Sequence, residues 1–349
     1  MRAHTDISGA QPQNVLPAFR LIDDELGRVK KLIAEQLTGH GESVDRILGK
    51  FSIGGGKMLR PGLVLLSYHA VRDGSNKKGR KRGTKYAVRS SDAIIRVAAV
   101  VEMIHNATLL HDDVIDEGQK RRGMPTVNNL SGNECAVLLG DFLFSRVFKM
   151  CTDLGPRVAG VIAATAVQVC EGELRQGIQK QNWQLSESEY IDIISEKSGA
   201  LFSGCCHLGS LLAGAGEKQI QSLSRFGRDV GIAFQIADDL MDIVGDESKT
   251  GKTLGSDADK NKLTLAVIHL LGAVEEKERT VVKSKLSNSA KGSKNALAEM
   301  LSSYGSLQYA RSRAQEFVAK AIASLTELKR SAAKDALIET AGFMVNRTA

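Results

Sequence analysis

Two groups of three aspartates are the residues most able to do chemistry, because acids at their spacing can hold a divalent cation. The groups are Asp112, Asp113 and Asp116 in HDDVID, and Asp238, Asp239 and Asp242 in ADDLMD. On an α-helix, positions i and i+4 lie one turn apart and position i+1 lies on the adjoining face. Clustered carboxylates repel one another unless a cation compensates, and Mg²⁺ prefers carboxylate and phosphate oxygens.

Each acidic cluster follows an apolar segment that is typical of a buried helix. The segments are VAAVVEMIHNATLL (97–110) and VGIAFQIA (230–237), and the clusters lie 126 residues apart (238 − 112). One acidic helix end alone is most simply a solvated surface. Two matching copies favour clusters that face each other across a helical bundle and form a carboxylate-lined mouth over an apolar interior.

Basic residues flank both acidic clusters. They are Lys57 and Arg60 in GGGKMLRPG (54–62), Arg121 and Arg122 in RRGMPT (121–126), and Lys252 and Lys262 in GKTLGSDADKNKLT (251–264). The first segment is not a nucleotide P-loop, because Met58 follows the lysine where Ser or Thr is required. Any one of these cations is most simply a solvated surface charge. Their grouping beside the acids favours two diphosphate sites, one held through metal and one held directly.

Apolar residues recur with helical spacing along almost the whole chain, and convincing strand patterns are absent. Ser186 and Glu189 form a capping-box pattern at the start of one predicted helix. Glu171, Glu173 and Gln176 lie on an otherwise apolar helix, either as a solvated stripe or as part of the polar mouth. We predict one all-α domain over residues 1–349, with residues 1–15 disordered and residues 73–89 forming a basic surface loop.

Charge and cysteine content limit the other classes of function. The chain carries a formal charge of +7, and residues 72–89 alone hold eight Lys/Arg against one Asp, so the remainder is close to neutral. That segment is best interpreted as a solvated loop, with contact to nucleic acid or an anionic membrane as the alternative. The five cysteines are irregularly spaced, and the N-terminus has no signal-peptide pattern. No apolar run reaches membrane-spanning length. These features favour a cytoplasmic protein.

The motifs, taken together in order and spacing, resemble those of the trans-isoprenyl diphosphate synthases (polyprenyl synthetases). The matching stretches are GGGKMLRP, EMIHNATLLHDDVID, RRGMPTVN, GD at 140–141, KSGALF, GIAFQIADDLMD, GKTLGSD and KLTL, between about Gly54 and Ile268. The resemblance implies the isoprenoid synthase fold, an all-α bundle around a deep central cavity, in a homodimer. It implies that isopentenyl diphosphate adds to an allylic diphosphate in a 1′-4 trans condensation.

The resemblance also implies a role for each matching residue. Both aspartate clusters would bind Mg²⁺, three ions in total. The catalytic groups would include Asp112, Asp113, Asp238 and Asp239. The allylic diphosphate would contact Arg121, Lys197 and Lys252, and isopentenyl diphosphate would contact Lys57, Arg60, His105 and Arg122. Oxygens of Lys197, Ser198 and Gln235 would face the allylic cation, and Lys262 would lie near the departing diphosphate. Ser198 replaces the more common Thr and keeps the hydroxyl, and Asn261 and Ala266 replace a common Gly and Pro near Lys262.

Product length should depend on the helix that carries the first acidic cluster, since the growing chain would run along it. Ala107 and Thr108 precede Asp112 by five and four residues, and five residues span about 7.5 Å of helix. In short-chain members of the family, aromatic residues near this position form a floor, whereas Ala107 offers a methyl group and Ile104 is of moderate size. We therefore predict a C30–C50 product made from farnesyl or geranylgeranyl diphosphate. Close helix packing remains the plainer reason for an alanine.

Other assignments stay open from the sequence alone. They are a farnesyl or geranylgeranyl diphosphate synthase, a non-catalytic subunit of a heteromeric synthase, a class I terpene cyclase, and a nucleic-acid-binding protein that acts through residues 72–89. A cyclase would carry Asn/Asp, Ser/Thr and Glu in its second metal motif, which DDLMD does not. A non-catalytic subunit would typically lack acids from one cluster. We expect no nucleic-acid partner, and we expect product release at a peripheral membrane contact.

Overall fold

The computed structural model describes residues 16–49, 56–73, 90–121, 123–244, 262–286 and 291–346. The first half contains a 3₁₀ turn (Pro17–Ile22), α1 (Asp23–Gln36), α2 (Glu42–Leu48), α3 (Leu59–Asp73), α4 (Ser90–Ile115), α5 (Val127–Ser131), α6 (Asn133–Cys151) and α7 (Pro156–Ile178). The second half contains α8 (Glu187–Ile194), a π-helical turn (Ser195–Gly199), α9 (Ala200–Ala213), α10 (Glu217–Val244), α11 (Leu265–Ala273), α12 (Glu276–Leu286), α13 (Lys291–Ser303), α14 (Ser306–Ser324), a 3₁₀ turn (Leu325–Glu327) and α15 (Ala332–Val345). These elements confirm the predicted all-α fold.

Extended structure in the described part of the chain is limited to one small hairpin. Lys120–Arg121 pairs antiparallel with Met124–Pro125, so that Arg121 lies opposite Met124. Glu117, with a φ of 49°, turns the chain away from the end of α4. The hairpin therefore returns Arg121 to the acidic cluster that precedes it.

The two helices that carry the acidic clusters are long elements of the hydrophobic core. Helix α4 packs against α6 and lies beside α3, while α10 packs against α9 and α14. Buried side chains form two clusters, and α10 contributes to both of them, through Phe226 in one and Ile236 in the other. Because both helices are held along their length, their polar ends are fixed relative to each other.

One apolar helix corrects an expectation from the sequence. Residues Ser91–Ile115 are long and apolar enough to cross a membrane by length and composition, yet 78% of the most apolar window is buried within the protein. That burial is typical of a core helix.

All five cysteines lie among the described residues without a disulfide, with Cys205 and Cys206 buried and Cys170 exposed, so only some of them are core thiols.

The predicted capping box is confirmed at the start of α8. The Ser186 hydroxyl accepts a hydrogen bond from the backbone N–H of Glu189, and the Glu189 carboxylate accepts one from the backbone N–H of Ser186. The helix does not continue regularly, because residues Ser195–Gly199 form a π-helical turn before α9. Such turns are rare and occur frequently at functional sites. This one contains Lys197 and Ser198.

Candidate active site

The first acidic cluster lies at the end of α4, where its middle acid is turned into the protein. The Asp113 side chain is buried and binds Arg121 through both carboxylate oxygens, with Nε at 3.0 Å from each and Nη2 at 2.7 Å from Oδ1. The Asn128 amide donates to the backbone carbonyls of Asp113 and Gly118 at 3.1 Å. These bonds fix the loop that carries Arg121 against the helix end.

The first acid of the cluster, Asp112, is affected by burial and by a neighbouring positive charge in opposite directions. Burial raises the pKa of Asp112 to about 6 in the metal-free protein, against the lowering effect of Lys197. Burial lowers the pKa of Lys197, but Asp112 and Glu173 outweigh it, so the net pKa is raised. Lys197 is therefore held as a cation next to a carboxyl group that is easily protonated until a further positive charge arrives.

The last acid of the cluster pairs with a residue far along the chain. Lys262 Nζ donates to the two oxygens of Asp116 at 3.0 and 3.1 Å, across 146 residues of sequence. Lys262 directly precedes α11, at the far end of the segment that follows the second acidic cluster. The lysine therefore ties the chain beyond the second cluster to the first cluster.

The two acidic clusters face a common space, as the surroundings of Arg121 indicate. Burial lowers the pKa of Arg121, but Asp113, Asp112 and Asp238 together raise it above its usual value. A charge that acts on Arg121 from α10 as well as from α4 requires the two helix ends to lie close together. The convergence of the two clusters stays a prediction; it is supported by the contact of Ser198 with Gln235 on α10, one turn before Asp239.

The second cluster repeats the arrangement of the first. Its middle acid, Asp239, is buried, whereas Asp238 and Asp242 are partly exposed. Gln235 Nε2 donates to Asp239 Oδ1 at 2.7 Å, and the Tyr190 hydroxyl donates to Oδ2 at 2.6 Å. The sequence predicts all six aspartates as metal ligands, but in both clusters the middle acid is buried as well as bound by protein donors, whereas the outer acids are partly exposed.

The π-helical turn presents two of the predicted catalytic residues, and side chains from α7 and α10 hold them there. Lys197 Nζ lies 2.6 Å from Glu173 Oε2 and 2.8 Å from Gln176 Oε1, both on α7. The Ser198 hydroxyl donates to Gln235 Oε1 at 2.6 Å. Glu173 and Gln176 thus belong to the polar mouth, one of the two interpretations that the sequence leaves open.

A glycine allows α7 to approach this turn closely. A Cβ atom at Gly172 would lie 2.3 Å from the backbone nitrogen of Lys197, a separation that real Cβ atoms do not show. Gly172 therefore lets α7 lie close to the turn, where the next residue, Glu173, binds Lys197. Gln176, Tyr190 and Lys262 also line one cavity of about 20 Å³, which has room for one water molecule.

The residues predicted to bind isopentenyl diphosphate lie at the start of α3 and on α4. Lys57 Nζ lies 4.5 Å from the centroid of the Phe343 ring, and Arg60 Cζ lies 4.8 Å from the centroid of the Phe202 ring. Met58 between them is buried and has a φ of 52°, which turns its side chain inward while Lys57 stays exposed. His105, the third of these residues, is partly exposed on α4.

The residues predicted to control product length occupy different environments on α4. Ala107 and Ile104 are buried, with exposed fractions of 0% and 2%, whereas Thr108 is partly exposed. The Thr108 hydroxyl donates to the backbone carbonyl of His105 at 2.9 Å. His105, Thr108 and Asp112 therefore form one partly open stripe along the helix, which leads inward from the acids.

The donor set fits Mg²⁺ that is shared with a diphosphate. Among the described residues, no three His, Cys, Asp or Glu side chains converge closely enough to hold a metal with protein ligands alone. Mg²⁺ is typically bound by one or two carboxylates together with substrate phosphates, and it retains several waters. The partly exposed acids Asp112, Asp116, Asp238 and Asp242 are suited to that role, while Arg121, Lys197 and Lys262 provide positive charge around them.

Part of the predicted site lies outside the described residues: Arg122, Lys252 and most of the basic segment at residues 72–89.

One residue of the site was not predicted from the sequence. Tyr190 contacts Asp239 from α8, and its only sequence signal is a tyrosine among aliphatic residues seven positions before Lys197. Contacts between residues 49 positions apart cannot be inferred from helical periodicity.

Comparison with known proteins agrees with this geometry. The family model for polyprenyl synthetases matches residues 42–303. The octaprenyl diphosphate synthase of Escherichia coli K12 is 32% identical over 329 residues, covering 94% of this chain and 97% of that protein. A short chain isoprenyl diphosphate synthase of Methanothermobacter thermautotrophicus is 34% identical, covering 84% of this chain and 87% of that protein.

A solved structure shows the same fold over almost the full length. The polyprenyl synthase of Caulobacter crescentus, complexed with calcium and isoprenyl diphosphate, aligns with a TM-score of 0.85 and 28% identity. The alignment covers 95% of this chain and 97% of that chain. With a family model that matches three quarters of the sequence and relatives that match it almost end to end, this chain belongs to the polyprenyl synthetase family.

Proposed function

We propose that this protein is a Mg²⁺-dependent trans-prenyltransferase that condenses isopentenyl diphosphate with an allylic diphosphate in 1′-4 fashion. The observation that carries the proposal is a pair of contacts at the first cluster: Arg121 binds Asp113, and Lys262, from the chain beyond the second cluster, binds Asp116. A cation between two acidic helix ends forms a site for a diphosphate and its metal ions. Lys197 and Lys262 extend the same positive rim around Asp112 and Asp116.

The first task of the site is to bind the allylic diphosphate and stabilise its departure. Three Mg²⁺ ions, held by Asp112, Asp116, Asp238 and Asp242, would supply Lewis-acid stabilisation of the charge that develops on the leaving group. Asp113 orients Arg121 through its bidentate contact, so that the guanidinium keeps a fixed position beside the diphosphate. Lys197 and Lys262 add preorganised positive charge, which is most effective in a water-poor site.

The second task is to protect and orient the allylic cation. The oxygens of Ser198 and Gln235 lie on the two elements that border this space, and they can face the developing positive charge. The apolar residues further down α4, such as Val101 and Ile104, are buried and keep water away from the tail. Lys57, Arg60 and His105 would hold isopentenyl diphosphate so that its double bond lies over the cation, a positioning effect.

We propose a C30–C50 product, because no aromatic side chain occupies the buried position 107, or position 108 on the stripe that leads inward from Asp112. The relatives include both an octaprenyl synthase and a short chain synthase, so family membership alone does not determine length. The difference between a long-chain and a short-chain enzyme therefore depends on how far the tail can extend past these two residues.

We propose a homodimer formed through the exposed faces of α6 and α7. Several large apolar side chains on these two helices are exposed: Val137, Leu138 and Phe148 on α6, and Val167, Leu174 and Ile178 on α7. Exposed apolar patches of this kind mark interfaces, and a second copy of the chain would cover them. The proposal includes no nucleic-acid partner, a cytoplasmic location, and a peripheral membrane contact at which the apolar product is released.

A product assay tests the proposed function. Purified protein is incubated with Mg²⁺, radiolabelled isopentenyl diphosphate and either farnesyl or geranylgeranyl diphosphate, and the dephosphorylated products are sized by reversed-phase chromatography. We expect C30–C50 alcohols from wild type, none from Asp112→Asn, and normal products from Asp153→Asn, which alters an exposed acid paired with Arg96. Products that end at C15–C20 would overturn the chain length, and absence of elongation by the purified chain would overturn the function.

A further inference from the structure

A chain of hydrogen bonds runs from a buried tyrosine on α8 to the π-helical turn. The Tyr190 hydroxyl donates to Asp239 Oδ2, Gln235 donates to Asp239 Oδ1, and the Ser198 hydroxyl donates to Gln235 Oε1. The three distances are 2.6, 2.7 and 2.6 Å. Tyr190 is 3% exposed and Asp239 is 8% exposed, so the far end of the chain is shielded from water.

The chemistry of Asp239 determines which way Gln235 faces. An ionised carboxylate can only accept hydrogen bonds, so the side of Gln235 that faces Asp239 must be its NH₂ group. The carbonyl oxygen of Gln235 must then face Ser198, which fixes the Ser198 hydroxyl as the donor in that contact. Both oxygens then retain a lone pair, and Ser198 directly follows Lys197 in the π-helical turn. That orientation suits a developing cation, whereas a flipped Gln235 would direct N–H groups at it.

The orientation depends in turn on what holds Asp239. Tyr190 provides a donor to the oxygen of Asp239 that Gln235 does not bind, and it provides it from a different helix. Without that donor, a buried carboxylate oxygen loses a partner, and rotation of the group would relieve the deficit. The rotation would move Oδ1 away from Gln235 and remove the reason for its orientation.

We infer that Tyr190 is a positioning residue for the transfer reaction, which acts through Asp239 and Gln235 on the oxygens that face the allylic cation. This inference rests on the proposed function. Tyr190 is buried and binds Asp239, so its effect falls on the chemical step rather than on diphosphate binding. Loss of the hydroxyl lowers kcat and leaves both KM values nearly unchanged.

The test is Tyr190→Phe, which keeps the buried ring and removes only the hydroxyl. The matched control is Tyr309→Phe, because the Tyr309 hydroxyl also donates to a carboxylate, that of Glu187, away from the acidic clusters. We expect kcat to fall about ten-fold or more in Tyr190→Phe, consistent with loss of a hydrogen bond to a charged group. We expect KM values within about two-fold of wild type and no loss of kcat in Tyr309→Phe.

A double-mutant cycle with Ser198→Ala separates positioning from general packing. If both residues act through one chain of hydrogen bonds, the kcat of the double variant lies within about two-fold of the kcat of Ser198→Ala. Fold losses that multiply, or a kcat of wild-type size in Tyr190→Phe, would overturn the inference.

A crystal structure of Tyr190→Phe gives a readout that does not depend on activity. We expect Asp239 to have rotated and the contact between Gln235 and Asp239 to be broken, and an unchanged contact would overturn the inference. An inactive wild-type protein would count against the proposed function, and the crystal structure would still decide whether Tyr190 holds Asp239.

Discussion

The raised pKa of Asp112 predicts that metal-free protein loses stability as this group ionises. Its pKa is about 6 in the folded chain against 3.8 for the ordinary group. The folded state binds this proton more tightly, so the contribution to stability is fully present below pH 3.8 and is lost as the pH rises through 6. The difference between these two pKa values corresponds to at most about 3 kcal/mol, because one pKa unit is about 1.36 kcal/mol.

The perturbation that isolates this contribution is Asp112→Asn, which resembles the protonated acid and does not titrate. We expect the metal-free variant to gain stability relative to wild type as the pH rises, with about half of the 3 kcal/mol appearing between pH 5 and 7.5. The assay is urea unfolding in the presence of a chelator at several pH values, with Asp153→Asn as the exposed control. Mg²⁺ with pyrophosphate should reverse the ranking at pH 7.5, because only wild type retains the carboxylate.

The result that would refute this reasoning is a stability difference between Asp112→Asn and wild type that does not change with pH. Such a result would mean that Asp112 has an ordinary pKa and is not held in a buried, charge-crowded position. The reversal by Mg²⁺ is a separate check, since a carboxylate that never meets metal would give no added stabilisation.

Three further predictions concern the elements around the acids. Glu173→Gln should lower kcat/KM for the allylic diphosphate about five- to thirty-fold by removing the ion pair with Lys197, while the exposed neighbour change Glu171→Gln should have no effect in the same kinetic assay. Ala107→Phe should shorten the product by at least one isoprene unit. Unchanged product lengths on chromatography would contradict the claim that the side chain at position 107 limits the length of the product. Gly172→Ala should destabilise the protein by about 1–3 kcal/mol in urea unfolding, because the added methyl group meets backbone of the π-helical turn; a variant as stable as wild type would show that the approach is not tight.

The acidic clusters and the helices that carry them could be predicted from the sequence because both depend on local spacing. Asp112 and Asp116 are four residues apart, so helical geometry alone places them on one face. The capping box at Ser186 was equally local. In each case the interacting groups lie within about one turn of helix, where the geometry varies little.

Contacts between distant residues could not be predicted, and they determine much of the site. The pairing of Lys262 with Asp116 spans 146 residues, and the bond from Tyr190 to Asp239 spans 49. The π-helical turn at Ser195–Gly199 also cannot be predicted, because no sequence period marks it. The middle acids Asp113 and Asp239 differ from the outer acids by being buried, and that difference also depends on tertiary packing, since identical residue types carry no such distinction in sequence.

The most direct test of the account locates metal between the two acidic clusters. Crystals grown with Mn²⁺ and pyrophosphate would give anomalous scattering peaks at every bound metal ion. We predict peaks within coordination distance of Asp112 or Asp116 on one side and Asp238 on the other, with Asp113 still bound to Arg121. Metal bound at one cluster alone, or no metal between the clusters, would contradict the claim that the two helix ends form one diphosphate site.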